Sequence, residues 1–328
     1  MFNAKSCLIF STPSNISKVI NEISQTENQH IQFVVAGTDS VIPNSNRNGV
    51  SVLWLDEPVN ITGSKKLDEI PDDVMHKNWK LMESNLRLEA GKSSVFDLKL
   101  ANTSFVGDLP ITLFYIQPKH IELELENSGQ ALKELSLRLP KNVISNDSKV
   151  EEFDKWTALY DTADPFHVAD FKGNLLKTIN DKSAAGFLEN NEKLMSIGSK
   201  DTEVYVKIYK KDSDLVYKYK VIAGGGGWGA KANIIALSPE AKINKGDRIE
   251  FYMLTPQHRF NEEQSLVAIE EYINKISIEC AYEEQSYNDD TLGDELVIEK
   301  AFGAGSEEEF KYNDVKHHSS GERISIGI

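Results

Sequence analysis

Residues 6–11, Ser-Cys-Leu-Ile-Phe-Ser, and residues 31–37, Ile-Gln-Phe-Val-Val-Ala-Gly, are two short apolar runs near the start of the chain. Between them, residues 14–25 place apolar side chains at helical spacing, and Ser14 is a residue type that caps the beginning of a helix. A third apolar run follows at residues 49–55. Short apolar runs around one helix are typical of a sheet that helices cover, so this stretch predicts a β-α-β opening.

The rest of the chain predicts more strands than helices. Apolar or alternating runs predict strands at residues 86–89, 95–100, 111–116, 202–209, 215–222, 233–237, 248–254 and 275–282. Helices are predicted over the part of 121–139 that follows Ser128-Gly129, over 168–197 and over 265–273. We therefore expect an α+β protein with two halves of related design, whose mixed β-sheets are partly covered by helices.

The runs at 202–209 and 215–222 predict a hairpin with a polar turn between them. In the first run, aliphatic positions alternate with aromatic or charged ones: Val204, Val206 and Ile208 against Tyr205, Lys207 and Tyr209. Successive side chains of a strand point to opposite faces, so we expect the hairpin to bury its aliphatic face.

Polar and charged residues dominate between Pro140 and Pro165, which predicts a domain boundary or a long surface loop there. We expect a first half of α/β type at residues 1–145 and a second half of α+β type at residues 146–328. The second half ends in an acidic, turn-rich segment from Glu283 onward. Its charges are interpreted as a solvated face, with a basic protein partner as the alternative.

The net charge excludes two classes of binding protein. The 328 residues carry 36 Lys and Arg against 51 Asp and Glu, a formal charge of −15. Nucleic acids and anionic membranes are polyanions that this chain would repel. The longest apolar runs also fall short of the roughly 18 residues that a membrane helix requires. No nucleic-acid partner and no membrane association are therefore predicted.

The cysteines and the N-terminal residues indicate a reducing compartment inside the cell. The chain has two cysteines, Cys7 and Cys280, each in an apolar strand-like run, and both are predicted to be unlinked core thiols. Residues 1–21 lack acidic side chains, as mitochondrial presequences do, but they also lack Arg and include a predicted strand. We expect a cytoplasmic protein, with the mitochondrial matrix as the alternative.

Five glycines occupy six positions between Gly224 and Gly229. Such a run costs backbone entropy and adds no packing, so it requires a reason. One reason is contact between a ligand and bare backbone N–H groups, which predicts the contact residues Gly225, Gly226, Gly227, Trp228 and Lys231. The P-loop order is not satisfied, and a strand-like run follows where a dinucleotide site needs a helix. The alternative is a bulged turn in which Trp228 fills a core.

Other chemical motifs are weak. His317-His318 precede a Ser-Ser-Gly sequence and are interpreted as solvated loop residues, and the remaining histidines lack metal-ligand spacing. The Gly-x-Ser-x-Gly elbow of serine hydrolases does not occur. The sequence predicts no catalytic residue, no metal and no cofactor.

Two segments resemble a known family. Residues 34–42 with 49–53 are similar to the N-terminal half of FIST (F-box and intracellular signal transduction) domains, where a strand ends in a small-residue turn and a Gly-Val strand follows. Residues 235–251, with Gly246-Asp247 before an alternating strand, resemble the C-terminal half. The glycine run with this segment is also similar to a group of uncharacterised fungal proteins. The chain departs from the family at Pro43–Asn46, where further glycines are expected.

The resemblance implies a non-catalytic protein that binds or senses a small ligand, or an adaptor, with the glycine run as its pocket. The positive charge of Lys231 beside that run predicts a small anion as the ligand. Two alternatives stay open. One is an assembly or interaction factor whose acidic surface meets a basic partner. The other is an enzyme acting on an anionic small molecule through the Gly224–Lys231 loop, which requires a general base such as Asp247 or His258.

Overall fold

A computed structural model describes residues 2–25, 30–66, 84–101, 105–106, 109–110, 112–116, 130–145, 148–161, 164–211, 213, 216–224, 233–260, 267–281 and 296–328. The chain forms two compact units, Met1–Phe153 with Leu266–Ile328, and Asp154–Ser265. The predicted boundary region 140–165 thus contains the crossing into the second unit, and the chain returns to the first unit near residue 266. Assignment of FIST halves to residues 1–145 and 146–328 stays a prediction.

The elements are numbered in chain order. Up to residue 153 they are β1 (Ser6–Ser11), α1 (Pro13–Gln25), β2 (Gln32–Gly37), β3 (Ser40–Val41), β4 (Val50–Leu55), β5 (Asn60–Lys66), β6 (Asn85–Ala90), β7 (Ser94–Lys99), β8 (Phe105–Val106), β9 (Leu109–Pro110), β10 (Leu113–Ile116), β11 (Gln130–Arg138) and β12 (Val150–Phe153). The second unit contains β13 (Thr157–Ala158), β14 (Phe166–Lys172), β15 (Leu175–Ile179), β16 (Lys182–Ser183), α2 (Gly186–Glu189), α3 (Glu192–Ile197), β17 (Glu203–Tyr209), β18 (Val216–Gly224), β19 (Ile235–Leu237), β20 (Arg248–Leu254) and α4 (Pro256–Phe260). The return to the first unit adds the 3₁₀ helix Ile269–Tyr272, β21 (Lys275–Cys280), β22 (Ala301–Ser306), β23 (Phe310–Tyr312), β24 (Val315–His317) and β25 (Arg323–Gly327).

In the first unit, two sheets share one apolar core. The larger has the strand order β24-β23-β7-β6-β11-β10-β2-β1-β4 with β5 beside β11, and the smaller has the order β12-β25-β21-β22-β3. Leu8 and Phe10 of β1 face the same cluster as Ile278 of β21 and Phe302 of β22. The rings of Phe10 and Phe302 stack with their centroids 4.8 Å apart. The interior faces of the two sheets therefore cover each other, as in sheet-on-sheet packing.

The predicted β-α-β opening is confirmed. β1 and β2 pair in parallel, and α1 connects them. Alternate residues of β1 point the other way from Leu8 and Phe10, so Cys7 and Ile9 pack with Ile16 of α1 on the reverse face of the sheet. β1 is thus buried on both faces, which is why its sequence is continuously apolar.

A loop after β3 is fixed by a buried carboxylate. Asn44 and Ser45 have φ values of 55° and 58°, a left-handed conformation that is strained for residues with side chains. Ser45 donates to Glu279 of β21, and the Tyr272 hydroxyl donates to the other carboxylate oxygen at 2.9 Å. Asn44 exchanges two hydrogen bonds with the backbone of Val267, at 2.8 and 2.9 Å. These contacts hold the strained loop against the smaller sheet.

The second unit contains a closed barrel of six antiparallel strands. Its order is β14-β15-β19-β18-β17-β20, and β20 pairs back to β14. The predicted hairpin is confirmed as β17 and β18, and its aliphatic side chains Val206 and Ile208 lie in the barrel core. Tyr205 and Lys207 alternate with them and point away from that core.

The predicted fold class is wrong. Of the residues that the structure describes, 49% are in strands and 13% in helices, and they form a six-stranded barrel and several sheets rather than an α+β arrangement of helix-covered sheets. Strands rather than helices cover most of the apolar faces of the sheets. In the first unit two sheets pack face to face, and in the second unit the sheet closes into a barrel. Nor do the units repeat one design, since the first contains parallel pairs and the barrel is antiparallel.

Two of the predicted helices are corrected. Residues 168–197 contain the hairpin β14–β15 before the short helices α2 and α3. Residues 130–138 form β11, whose register with β5 shifts between Leu132 and Glu134. That irregularity produces the Leu132-to-Leu135 spacing of three that imitates a helix. Among the helices of the described residues, none is long and apolar enough to cross a membrane.

Candidate functional site

The described residues do not include the five predicted ligand contacts, which are Gly225, Gly226, Gly227, Trp228 and Lys231. Gly224, the residue before them, ends β18 and pairs with Ile235. A Cβ atom on Gly224 would lie 3.1 Å from the Ile235 side chain and 3.4 Å from that of Leu188. Close packing explains the first glycine of the run, and ligand contact at the following residues stays a prediction.

A cleft of about 650 Å³ lies next to Gly224, and we call it the barrel cleft. Its lining comes from α2, from α3 and the residues after it, from the start of β17, from the end of β18, and from Arg259 of α4. Cavities of this volume are typical of small-molecule sites. The cleft therefore adjoins the segment that the sequence singles out.

Three charged residues, Glu203, Lys220 and Arg259, form what we call the charged floor of the cleft. The Tyr205 hydroxyl donates to Oε2 of Glu203 at 2.5 Å. Oε1 of the same carboxylate accepts from the Lys220 ammonium and lies 3.4 Å from Nη1 of Arg259. Glu203 is 9% exposed, whereas the side chains of Lys220 and Arg259 are 39% and 19% exposed. Two cations converge on one nearly buried anion, which leaves the floor with one net positive charge.

The register of the barrel brings these residues together. Lys220 of β18 lies opposite Tyr205 of β17, one pleat away from Glu203 on the same face. Glu203 lies opposite Leu254, the last residue of β20, and α4 begins two residues later with Arg259 near its end. Three strands and one helix thus position a charged cluster that no contiguous motif encodes.

The Glu203 carboxylate is ionised at neutral pH. Burial by itself raises its pKa, but the hydrogen bonds from Lys220 and Tyr205 and the positive charges of Lys220 and Arg259 outweigh burial and lower the pKa below its usual range. A carboxyl group in this state accepts hydrogen bonds and orients cations. It is poorly suited to exchange protons near neutral pH.

One wall of the cleft is apolar and faces water. Met195 of α3 is 64% exposed and Ile222 of β18 is 58% exposed, and both line the cleft. Leu194 and Val204, which are half-buried, continue the wall. An apolar surface next to a cationic floor gives the cleft two chemically different ends.

A third feature of the lining is the hydroxyl of Thr202. Its Oγ1 is buried and has no hydrogen-bond partner among the described residues. A buried polar group without a partner costs stability, so such groups deserve an explanation. The Thr202 side chain adds a polar group to the lining beside Glu203.

The general base that the enzyme alternative requires is not found where the sequence suggests. Asp247 is 1% exposed, and its carboxylate accepts from the Lys210 ammonium at 2.7 Å and from the Asn244 N–H at 2.8 Å. These bonds close the turn before β20. His258 lies on α4 but does not line the cleft.

The interpretation of His317 as a solvated loop residue is wrong. His317 is fully buried in β24, and its Nδ1 lies 2.7 Å from Oε1 of Glu322. Its ring stacks on Phe310 at a centroid distance of 4.9 Å. The other Glu322 oxygen accepts from the N–H and hydroxyl of Ser319, so the Ser-Ser-Gly segment forms a closed turn around the buried contact of His317 with Glu322. In the described part of the chain, no group of three or more His, Cys, Asp or Glu residues is arranged to hold a metal ion.

Sequence reasoning missed Glu203, Lys220 and Arg259. The alternation of residues 204–209, extended back by one residue, puts Glu203 on the polar face of the hairpin, and this was the available signal. Comparisons of the chain with known protein families, with curated proteins and with solved structures found no match in any of the three.

Proposed function

We propose that the protein binds a small ligand with an anionic group in the barrel cleft, as a non-catalytic sensing or adaptor protein of the FIST type. The observation that carries the proposal is the charged floor, in which Lys220 and Arg259 meet on the buried carboxylate of Glu203. That carboxylate holds both cations in place before a ligand arrives, which lowers the ordering cost of binding.

The donor capacity of the floor favours an anion. The Lys220 ammonium carries three N–H groups, and its contact with Oε1 of Glu203 uses one of them. The Arg259 guanidinium contacts the same oxygen and also donates to the backbone carbonyl of Asp201. The Lys220 side chain keeps 39% of its surface exposed, so solvent or a ligand reaches it. A carboxylate or phosphate at this point accepts charge-assisted hydrogen bonds and neutralises the net positive charge of the floor.

The state of Glu203 supports the proposal of binding without catalysis. The lowered pKa keeps this carboxylate ionised, and its contacts with Tyr205 and Lys220 occupy it. A general acid or base works best with a pKa near the operating pH. The described lining therefore supports recognition of a ligand rather than proton transfer to it.

Calorimetric titration of the full chain with inorganic phosphate, acetate and hexanoate tests this proposal. We expect at least one of the three anions to bind and Lys220→Met to weaken its binding roughly ten- to hundredfold, the usual range for a charged hydrogen bond. Lys182→Met, which changes an exposed lysine of the same unit, is the matched control and leaves binding unchanged. Absence of binding by all three anions, or equal losses in the two variants, contradicts the proposal.

A further inference from the structure

We propose that the ligand of the barrel cleft is an amphiphile, an alkyl chain that ends in a single carboxylate or phosphate group. This inference rests on the proposed function, because it takes the charged floor as the place of the anionic group. It adds that the apolar wall of Leu194, Met195, Val204 and Ile222 receives the chain.

Two residues of the apolar wall are exposed to solvent. Met195 and Ile222 expose 64% and 58% of their surface although both line a cleft, where side chains are usually protected. Isolated exposed apolar residues are ordinary, but Met195 and Ile222 line the same cleft and give it an exposed apolar surface. Leu194 and Val204, which also line it, pack partly against the barrel core. An alkyl chain laid on this surface removes it from water.

Ile222 lies at a bulge in β18. Val221 of β18 pairs with Leu237 of β19, and Ala223 pairs with the adjacent Ala236, so Ile222 is an extra residue between two paired ones. Such bulges redirect a side chain and occur often beside binding sites. In β18 the bulge carries the largest apolar side chain among the strand residues that line the cleft.

The charged floor and the apolar wall lie close together along β18. Lys220 and Ile222 are two positions apart in the strand, which separates them by roughly 7 Å along its axis. A carboxylate bound by Lys220 therefore has apolar surface within a few methylene groups of its head. The three floor residues carry one net positive charge, and Lys200, Glu189 and Asp201 elsewhere in the lining bring the whole cleft to no net charge. The floor therefore fits one anionic group rather than a polyanion.

A chain-length series tests the inference. Acetate, hexanoate and decanoate are titrated into the full chain below their micelle concentrations, and decyl phosphate and 1-decanol accompany them. We expect affinity to rise by up to about fourfold for each added methylene that is buried. The tightest ligand is decanoate if the floor prefers a carboxylate and decyl phosphate if it prefers a phosphate. In either case 1-decanol, which has no charge, binds far more weakly than both.

Variants of the wall locate the effect. The double variant Met195→Ser/Ile222→Ser is expected to bind acetate like the wild type and to lose most of the gain from acetate to decanoate. Leu296→Ser, which changes an apolar residue of the other unit that is even more exposed, is the control. Equal affinity for acetate and decanoate overturns the amphiphile while leaving anion binding intact. Equal affinity for decanoate and 1-decanol overturns the anionic head, and failure of all anions to bind overturns the proposed function itself.

Discussion

The backbone N–H and the hydroxyl of Ser45 both donate to one oxygen of the Glu279 carboxylate, at 2.5 and 3.2 Å. Ser45 holds a left-handed φ of 58° to do so, and Glu279 is 3% exposed. A strained residue and a buried carboxylate thus stabilise each other across 234 positions of sequence. The pair connects the loop after β3 to the centre of the smaller sheet.

The raised pKa of Glu279 predicts that the protein loses stability as pH rises above the ordinary pKa of a glutamate side chain. Burial raises that pKa above 4.5, against the opposing effects of Ser45, Tyr272 and Arg323. The folded state therefore binds the proton more tightly than the unfolded state, and this contribution is lost as pH rises through the folded pKa. We expect Glu279→Gln to show a smaller loss of stability than the wild type as pH rises from about 4.5 to neutrality.

Urea unfolding at a series of pH values measures this effect. Glu134→Gln, which changes an exposed residue of the same unit, is the control. Glu279→Ala also removes the acceptor for Ser45 and is expected to cost roughly 1–3 kcal/mol of unfolding free energy. Identical pH profiles for the wild type and Glu279→Gln are incompatible with a raised pKa at this position.

The lowered pKa of Glu203 predicts that the protein loses stability as pH falls in the acidic range. That pKa lies below the ordinary value of 4.5, because Lys220, Tyr205 and Arg259 overcome the effect of burial. The ionised form contributes stability above that value, and the contribution disappears as pH falls through the folded pKa. The wild type should lose more stability than Glu203→Gln between about pH 5 and pH 3, as followed by thermal unfolding. A steeper acid loss in Glu203→Gln disagrees with this assignment.

The buried contact of His317 with Glu322 predicts strong coupling between the two residues. Replacing His317 with Phe keeps the stacking on Phe310 but leaves a buried carboxylate oxygen without its donor, at a cost of about 1–3 kcal/mol. A double-mutant cycle with Glu322→Leu measures the coupling. The double variant should be less destabilised than the sum of the single variants. Additive losses indicate that the two side chains do not interact.

Cys7 predicts a thiol that is inert in the folded protein. It is 1% exposed, and burial raises the pKa of its thiol to about 12. Since the thiolate is the reactive form, native Cys280→Ala protein should resist iodoacetamide in mildly alkaline buffer and react after denaturation. Rapid labelling of the native variant contradicts the burial of β1.

The sequence predicts those parts of the fold that depend on local pattern. The alternation of β17 and the helical spacing of α1 both appear where expected. β14 and β15 were missed although Gly173-Asn174, with Gly173 at a φ of 60°, is a two-residue hairpin turn that residue types alone signal.

The charged floor lies beyond such reasoning for a physical reason. Glu203, Lys220 and Arg259 become neighbours only through the pairing register of β17 with β18 and β20. A shift of one residue in either pairing would turn Lys220 or Glu203 to the other face of the barrel. Local sequence identifies their polar face, whereas the register depends on closure of the whole barrel.

Variants of Lys220 and Glu203, which form one ion pair, test the anion site most directly. Decanoate is titrated into the wild type, Lys220→Met and Glu203→Gln under the same conditions. Removing the Lys220 charge weakens binding. In Glu203→Gln the amide oxygen still accepts from Lys220, so the cations stay in place while the net charge of the floor rises from one to two, and binding strengthens by at least about threefold. General damage to the cleft would weaken binding in both variants. Opposite changes support an anion held by the charged floor, and a loss in both variants, or no change in either, contradicts it.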